Sequence, residues 1–125
     1  MAGINRFEDI QSWQEARQLT QAIYRLTAQP DSARDFGLKD QIQRASVSVM
    51  ANIAEGFDCE SNLEFARFLS IARRSAAEVQ SLLYTVLDIG YLDQNTFETL
   101  YTQAGRIKGL IGGLKRSLKV KPVVT

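Results

Sequence analysis

Histidine is absent from the chain, which removes the commonest general base and the commonest metal ligand together. Cysteine occurs once, at Cys59, so no internal disulfide can form. A single thiol suits a reducing compartment, and a cytoplasmic location is expected. Proline occurs only at Pro30 and Pro122. No run approaches the roughly 18 uninterrupted apolar residues of a membrane span. Residues 1–6 lack the apolar run of a signal peptide, so no membrane association is expected. Sustained alternation of apolar and polar residues is also missing, which argues against strands.

What remains is helical periodicity over 125 residues, a length suited to one domain with one core. Ser12 and Glu15 have the spacing of a capping box, so helix one is expected to start at Ser12. Trp13, Ala16, Leu19, Ile23 and Leu26 form its apolar stripe, and it is expected to fade before Pro30. Phe7 and Ile10 precede it, one of them placed to fold back over the first turn. Helix two is expected to start between Ser32 and Leu38, to run through Leu38, Ile42, Ala45, Val49 and Ile53, and to end near Gly56 with glycine supplying a left-handed terminus. Ser61 and Glu64 form a second capping box opening helix three, whose core face includes Phe65, Phe68, Leu69, Ala72, Ala76, Val79, Leu83 and Val86 before Gly90. Helix four follows Asp93 and Asn95, and its Phe97, Leu100, Ala104, Ile107, Ile111, Leu114 and Leu118 alternate three and four apart. Long amphipathic helices joined by short loops predict an all-α, antiparallel up-down four-helix bundle over residues 1–118, with a flexible tail over residues 119–125.

Two groups of polar residues stand out. On helix two, Gln41, Arg44, Ser48, Asn52 and Glu55 recur at helical spacing beside the apolar stripe. If the loop after Gly56 reverses the chain, Ser75 and Glu78 of helix three come alongside, giving an inter-helix network. Buried polar groups of this kind fix register and partner choice, and the network is read as structural. A two-metal carboxylate bundle needs Glu-x-x-His pairs, which the sequence cannot supply, so no metal, cofactor or catalytic residue is expected. The second group is basic. From residue 99 onward Arg106, Lys108, Lys115, Arg116, Lys119 and Lys121 have no acid to offset them, although the net charge is only +1. Cations late in a helix suit its macrodipole. They also suit an anionic partner such as RNA, for which Lys108, Lys115, Arg116 and Lys119 are the candidate contacts.

Helix four contains Gly105, Gly109, Gly112 and Gly113, each costing roughly 1 kcal/mol relative to alanine. Either another backbone approaches closely, within the bundle or between subunits, or the helix breaks near Gly112. Cys59 has no histidine to act as its base and is read as an incidental loop thiol.

The block Gln41-Ile42-Gln43-Arg44-Ala45, leading through Ser48 to Asn52-Ile53-Ala54-Glu55-Gly56, resembles the bacterial four-helix proteins encoded in intervening sequences of 23S ribosomal RNA genes. Phe7-Glu8-Asp9-Ile10, Trp13-Gln14-Glu15-Ala16, Phe65, Phe68-Leu69, Ile71-Ala72-Arg73, Ser75, Glu78 and Gly90-Tyr91-Leu92 extend the resemblance over about residues 7–118. That family has no established enzymatic activity. It is similar in fold to the accessory protein of diversity-generating retroelements. The resemblance thus implies a homo-oligomer, expected as a pentamer, and structured RNA or a reverse transcriptase as partner. Relatives often carry basic residues where this chain has Asp58, Cys59 and Glu60. Those acids favour the alternative of a protein-interaction scaffold with no nucleic-acid role.

Overall fold

The computed structural model describes residues 3–119. Among them lie a short 3-10 turn at Phe7–Asp9 and helices α1 (Gln11–Thr27), α2 (Pro30–Ala33), α3 (Phe36–Phe57), α4 (Asn62–Ile89) and α5 (Gln94–Ser117). α1, α3, α4 and α5 are the long helices anticipated from periodicity. Each packs against its sequence neighbour, and α5 closes the ring onto α1, so each long helix has two others beside it. This is an antiparallel up-down bundle. Its centre is lined by Leu19 and Ile23 of α1, Ile42, Val49 and Ile53 of α3, Leu69, Val79 and Leu83 of α4, and Ile107 and Ile111 of α5. The last residues of the expected tail, 120–125, including Lys121, lie outside the described residues.

Side chains cap three of the four long helices, at Ser61 and Asp93 as the sequence indicates and at Asp35 within the interval Ser32 to Leu38 that it left open. The Asp35 carboxylate accepts from the Leu38 amide, the Ser61 hydroxyl from Glu64, and the Asp93 carboxylate from Thr96 at 2.7 Å. Gly90 takes φ +93 and closes α4 in the left-handed region, as glycine permits at no steric cost.

Helix one departs from expectation. It begins at Gln11, with Ile10 in the capping position and no side-chain cap, so Ser12 lies inside the first turn. Burial explains the shift: Ile10 is drawn into the core, and the Ser12 hydroxyl is buried behind it without a hydrogen-bond partner among the described residues. Upstream, the Asp9 carboxylate accepts from the Asn5 and Arg6 amides, and Phe7 folds back edge-on to Trp13 with ring centroids 5.1 Å apart. α2 was not anticipated. Pro30 opens it at a position that needs no amide donor, and the Ser32 hydroxyl donates to the Leu26 carbonyl at 2.6 Å, satisfying the end of α1.

Gly56 has a different role from the one expected. α3 continues to Phe57 and ends in right-handed Asp58, so Gly56 supplies no left-handed terminus. It is buried, and a Cβ built there would lie 2.7 Å from Phe68 Cβ and 2.8 Å from Phe65 Cδ1. The glycine is a packing requirement, at a point where α4 approaches α3 too closely for a side chain. Phe65 is itself locked by Phe57, edge-on at 6.1 Å.

Two outcomes follow. Gly56→Ala is expected to destabilise the fold by about 1–3 kcal/mol, the usual cost of overpacking, read as a lower midpoint in urea denaturation. The Asp93 carboxyl is held below the ordinary aspartate range by the Thr96 amide and hydroxyl. Because the folded-state value is the lower one, its stabilisation is present above the ordinary value of 3.8 and is lost as pH falls through the folded value. Urea midpoints measured across that acidic window should therefore fall less steeply for Asp93→Asn, whose amide caps without titrating.

Candidate nucleic-acid interface

The α3–α4 seam carries the polar motif. Ser48 and Ser75 hydroxyls lie 2.8 Å apart, and the Asn52 amide donates to the Ser48 carbonyl at 2.8 Å and to its hydroxyl at 3.0 Å. Gln41 Nε2 donates to Glu78 at 3.5 Å on the rim of the same seam. Arg44 does not join them. Its guanidinium is 80% exposed and pairs with Asp40 one turn earlier at 3.0 Å. Glu55 is also exposed, its backbone carbonyl accepting from Cys59 Sγ at 3.5 Å. The thiol is pushed up by partial burial and by Glu64, Asp58 and Glu55 around it, so it is a poor nucleophile. The structure therefore gathers Ser48, Asn52 and Ser75 into one cluster, sets Gln41 and Glu78 at its edge, and leaves Arg44 and Glu55 facing solvent. Gly56 lies in the same seam, against Phe65 and Phe68.

The basic residues occupy another face, the groove between α4 and α5. Antiparallel packing sets Ser70 beside Lys115, whose ammonium donates to the serine hydroxyl at 2.6 Å. Two turns away along α5, Lys108 donates to Gln80 Oε1 at 3.1 Å, and Gln80 Nε2 donates to the Tyr101 carbonyl at 3.3 Å. Gly105 makes that crossing feasible, since a Cβ there would stand 3.2 Å from Gln80 Nε2. α5 does not break at Gly112. It continues to Ser117, and the Arg116 guanidinium folds back over Gly112 and Gly113, 3.4 and 3.8 Å from where their side chains would begin. Gly109 has nothing within 4 Å. No backbone within the bundle accounts for these glycines. Lys119, just past the helix, is exposed and takes φ +52.

α4 adds cations beyond those expected from the acid-free final segment. Arg73 precedes Gln80 by two turns on the side turned to α5, and Arg67 and Arg74 lie on the exposed shoulder beside it. Among the described residues, none of Arg67, Arg73, Arg74, Lys108, Lys115, Arg116 and Lys119 pairs with a carboxylate. Arg106 does: it meets Glu15 of α1 at 2.7 Å, and that carboxylate holds its guanidinium further up. The single acid of α4 between residues 65 and 87 is Glu78, and it faces α3. The signal was present in the sequence. Arg67, Arg73 and Arg74 become part of the patch only when the register of α4 on α5 is known.

At the far end of the groove three rings meet. Tyr84 lies 4.9 Å from Phe97 and 5.6 Å from Tyr101, and Phe97 and Tyr101 are 5.4 Å apart. Phe97 is buried, whereas Tyr84 is 49% exposed. The neighbouring Tyr101 phenol, with partial burial, pushes the Tyr84 hydroxyl up, so it remains a neutral donor at ordinary pH. Among the described residues no helix is long and apolar enough to cross a membrane, and no three histidine, cysteine or acidic side chains converge as a metal site.

Comparison with known proteins bears on the whole bundle. The sequence model for 23S rRNA-intervening sequence proteins matches residues 8–113. A crystal structure of a protein of unknown function from the S23 ribosomal protein family of Bacteroides thetaiotaomicron superposes with a TM-score of 0.76 at 21% identity, covering 84% of this chain and 98% of that one. At that identity the likeness is one of fold. No curated protein matches.

The exposure of Arg44 sets the size of its contribution. An exposed pair one helical turn apart is worth about 0.3–0.5 kcal/mol, so Arg44→Ala should leave the thermal midpoint nearly unchanged. Ser48→Val should lower it clearly, because it strips Ser75 and Asn52 of a shared partner.

Proposed function

The chain belongs to the 23S rRNA-intervening sequence protein family, and from that membership we propose that it is a non-catalytic, oligomeric bundle that associates with structured RNA as an accessory protein. The observation that supports this reading is the α4–α5 face, where cations from two helices lie together without carboxylate partners among the described residues. A protein of net charge +1 can then present a locally positive surface. Contacts made by such a surface go mainly to phosphates, so binding is weakly sequence-specific and salt-sensitive. Lys108, Lys115, Arg116 and Lys119 are the proposed contacts on α5 and just beyond it, joined by Arg73 of α4. The polar motif of α3 and α4 serves the fold.

Oligomerisation belongs to the same proposal, as a cyclic ring expected to be a pentamer. Gly109 supports it, since an exposed helix-interior glycine with no neighbour in its own chain has its cost explained by close approach of another subunit. Repetition around a ring multiplies the basic face. Tyr101 is engaged by Phe97 and Tyr84 within the chain. A reverse transcriptase would be an additional, protein partner of the same assembly.

Light scattering coupled to gel filtration is expected to show a mass several times that of the 14.0 kDa chain; a concentration-independent monomer refutes the ring. Binding to structured RNA across a salt series should weaken linearly in log–log form, and Lys115→Glu with Arg116→Glu should reduce it sharply at low salt. Equal binding by that double variant, or none by the parent at low salt, would overturn the RNA reading in favour of a protein scaffold.

A further inference from the structure

The exposed rings are not equivalent. Phe36 is the most exposed large apolar side chain among the described residues, at 75%, but it lies at the start of α3, away from the basic α4–α5 groove. Ile71 and Leu63 have no π-face, and Ile89 follows Asp88. Among the described residues two tyrosine rings are half-exposed: Tyr24 lies on α1, away from the basic groove, and Tyr84 lies in it. Tyr84 is one turn, about 6 Å along the axis, from Gln80, whose side chain touches Lys108 and the Tyr101 backbone. Phe97 and Tyr101 pack against the ring at 56° and 73° to its plane.

Charge gives the groove a direction. Asp88 is one turn beyond Tyr84 on α4, and Glu98 one turn before Tyr101 on α5, so a phosphate backbone is disfavoured past the rings. In the other direction lie Lys108, Arg73, Lys115 and Arg116, with the Gln80 side chain seated over Gly105 and the Arg116 guanidinium over Gly112. A track of cations that ends in a half-exposed aromatic ring matches an unpaired nucleotide: phosphates along the track, base on the ring. A duplex offers phosphates but keeps its base faces stacked on one another.

We propose that the α4–α5 groove takes single-stranded RNA, with an unpaired base stacked on Tyr84 and the adjoining phosphates held by Lys108, Arg73 and Lys115. This rests on the RNA-associated reading above and assigns it a strand state and a base-contact residue. Because every base has a π-face, the stacking tolerates sequence. The Tyr84 hydroxyl is dispensable to it, and the ring is not.

The test compares binding of a short oligouridylate and an RNA duplex of equal length by the full chain, Tyr84→Phe and Tyr84→Leu. Leucine keeps apolar contact with Phe97 and removes the π-face. The single strand is expected to bind the parent and Tyr84→Phe alike, and Tyr84→Leu about ten-fold more weakly. Duplex binding should be the same for all three, which separates loss of stacking from loss of folding. Oligouridylate binding unaffected by Tyr84→Leu, or a Tyr84→Leu defect equal on duplex and single strand, overturns the stacking site while leaving the RNA reading intact. Absence of binding to either RNA by the parent at low salt overturns both.

Discussion

The close approach of α3 and α4 at Gly56 sets the geometry on which the rest of the molecule depends. With no side chain at that point, Phe65 and Phe68 press onto the α3 backbone. That contact sets both the distance and the register of the pair. Two turns further along the same seam, Ser48 then meets Ser75, and at its far end Gln41 meets Glu78. Fixing α4 in rotation also fixes what its other flank presents. Glu78 is committed to α3, so the flank turned toward α5 carries arginine, serine, glutamine and tyrosine and no acid between residues 65 and 87. The separation of charge across one helix is thus a consequence of how that helix is seated.

Long periodic segments were legible in the sequence because burial of an apolar stripe dominates helix energetics. The stripe of α1 is buried throughout and those of α4 and α5 are buried except at half-buried Phe68 and Leu114, and Asp35, Ser61 and Asp93 cap where short polar side chains before a helix should. Ser12 misled for a physical reason. A capping side chain is worth on the order of 1 kcal/mol, whereas burying a residue of the size of Ile10 is worth roughly 1.5–3 kcal/mol. Burial therefore outweighs capping and sets the start of the helix. Gly56 misled similarly, since glycine at a helix end has two distinct uses, and only the positions of Phe65 and Phe68 distinguish them.

The candidate site was half legible. Lys108, Lys115, Arg116 and Lys119 could be selected from the acid-free final segment. Arg73, Tyr84 and Gln80 could not, because their relevance arises from inter-helix register, which periodicity does not specify. Helical phase alone did place Ser48, Asn52 and Ser75 near one another. It could not show that Arg44 would turn outward to Asp40, a neighbour four residues away that is available whatever the tertiary structure does.

Lys108 and Lys115 are each tethered to a neutral acceptor, Gln80 and Ser70. An ammonium bonded to a carboxylate gives up its field along with its freedom of movement. One bonded to an amide or hydroxyl oxygen gives up rotamer entropy and keeps its whole charge. These lysines are consequently fixed points of potential, narrowed in conformation before any anion arrives. The arrangement is chemically fragile in one respect. Replacing the Gln80 amide by a carboxylate would alter little in volume, but it would turn an orienting contact into a neutralising one and extinguish the potential at that point of the groove.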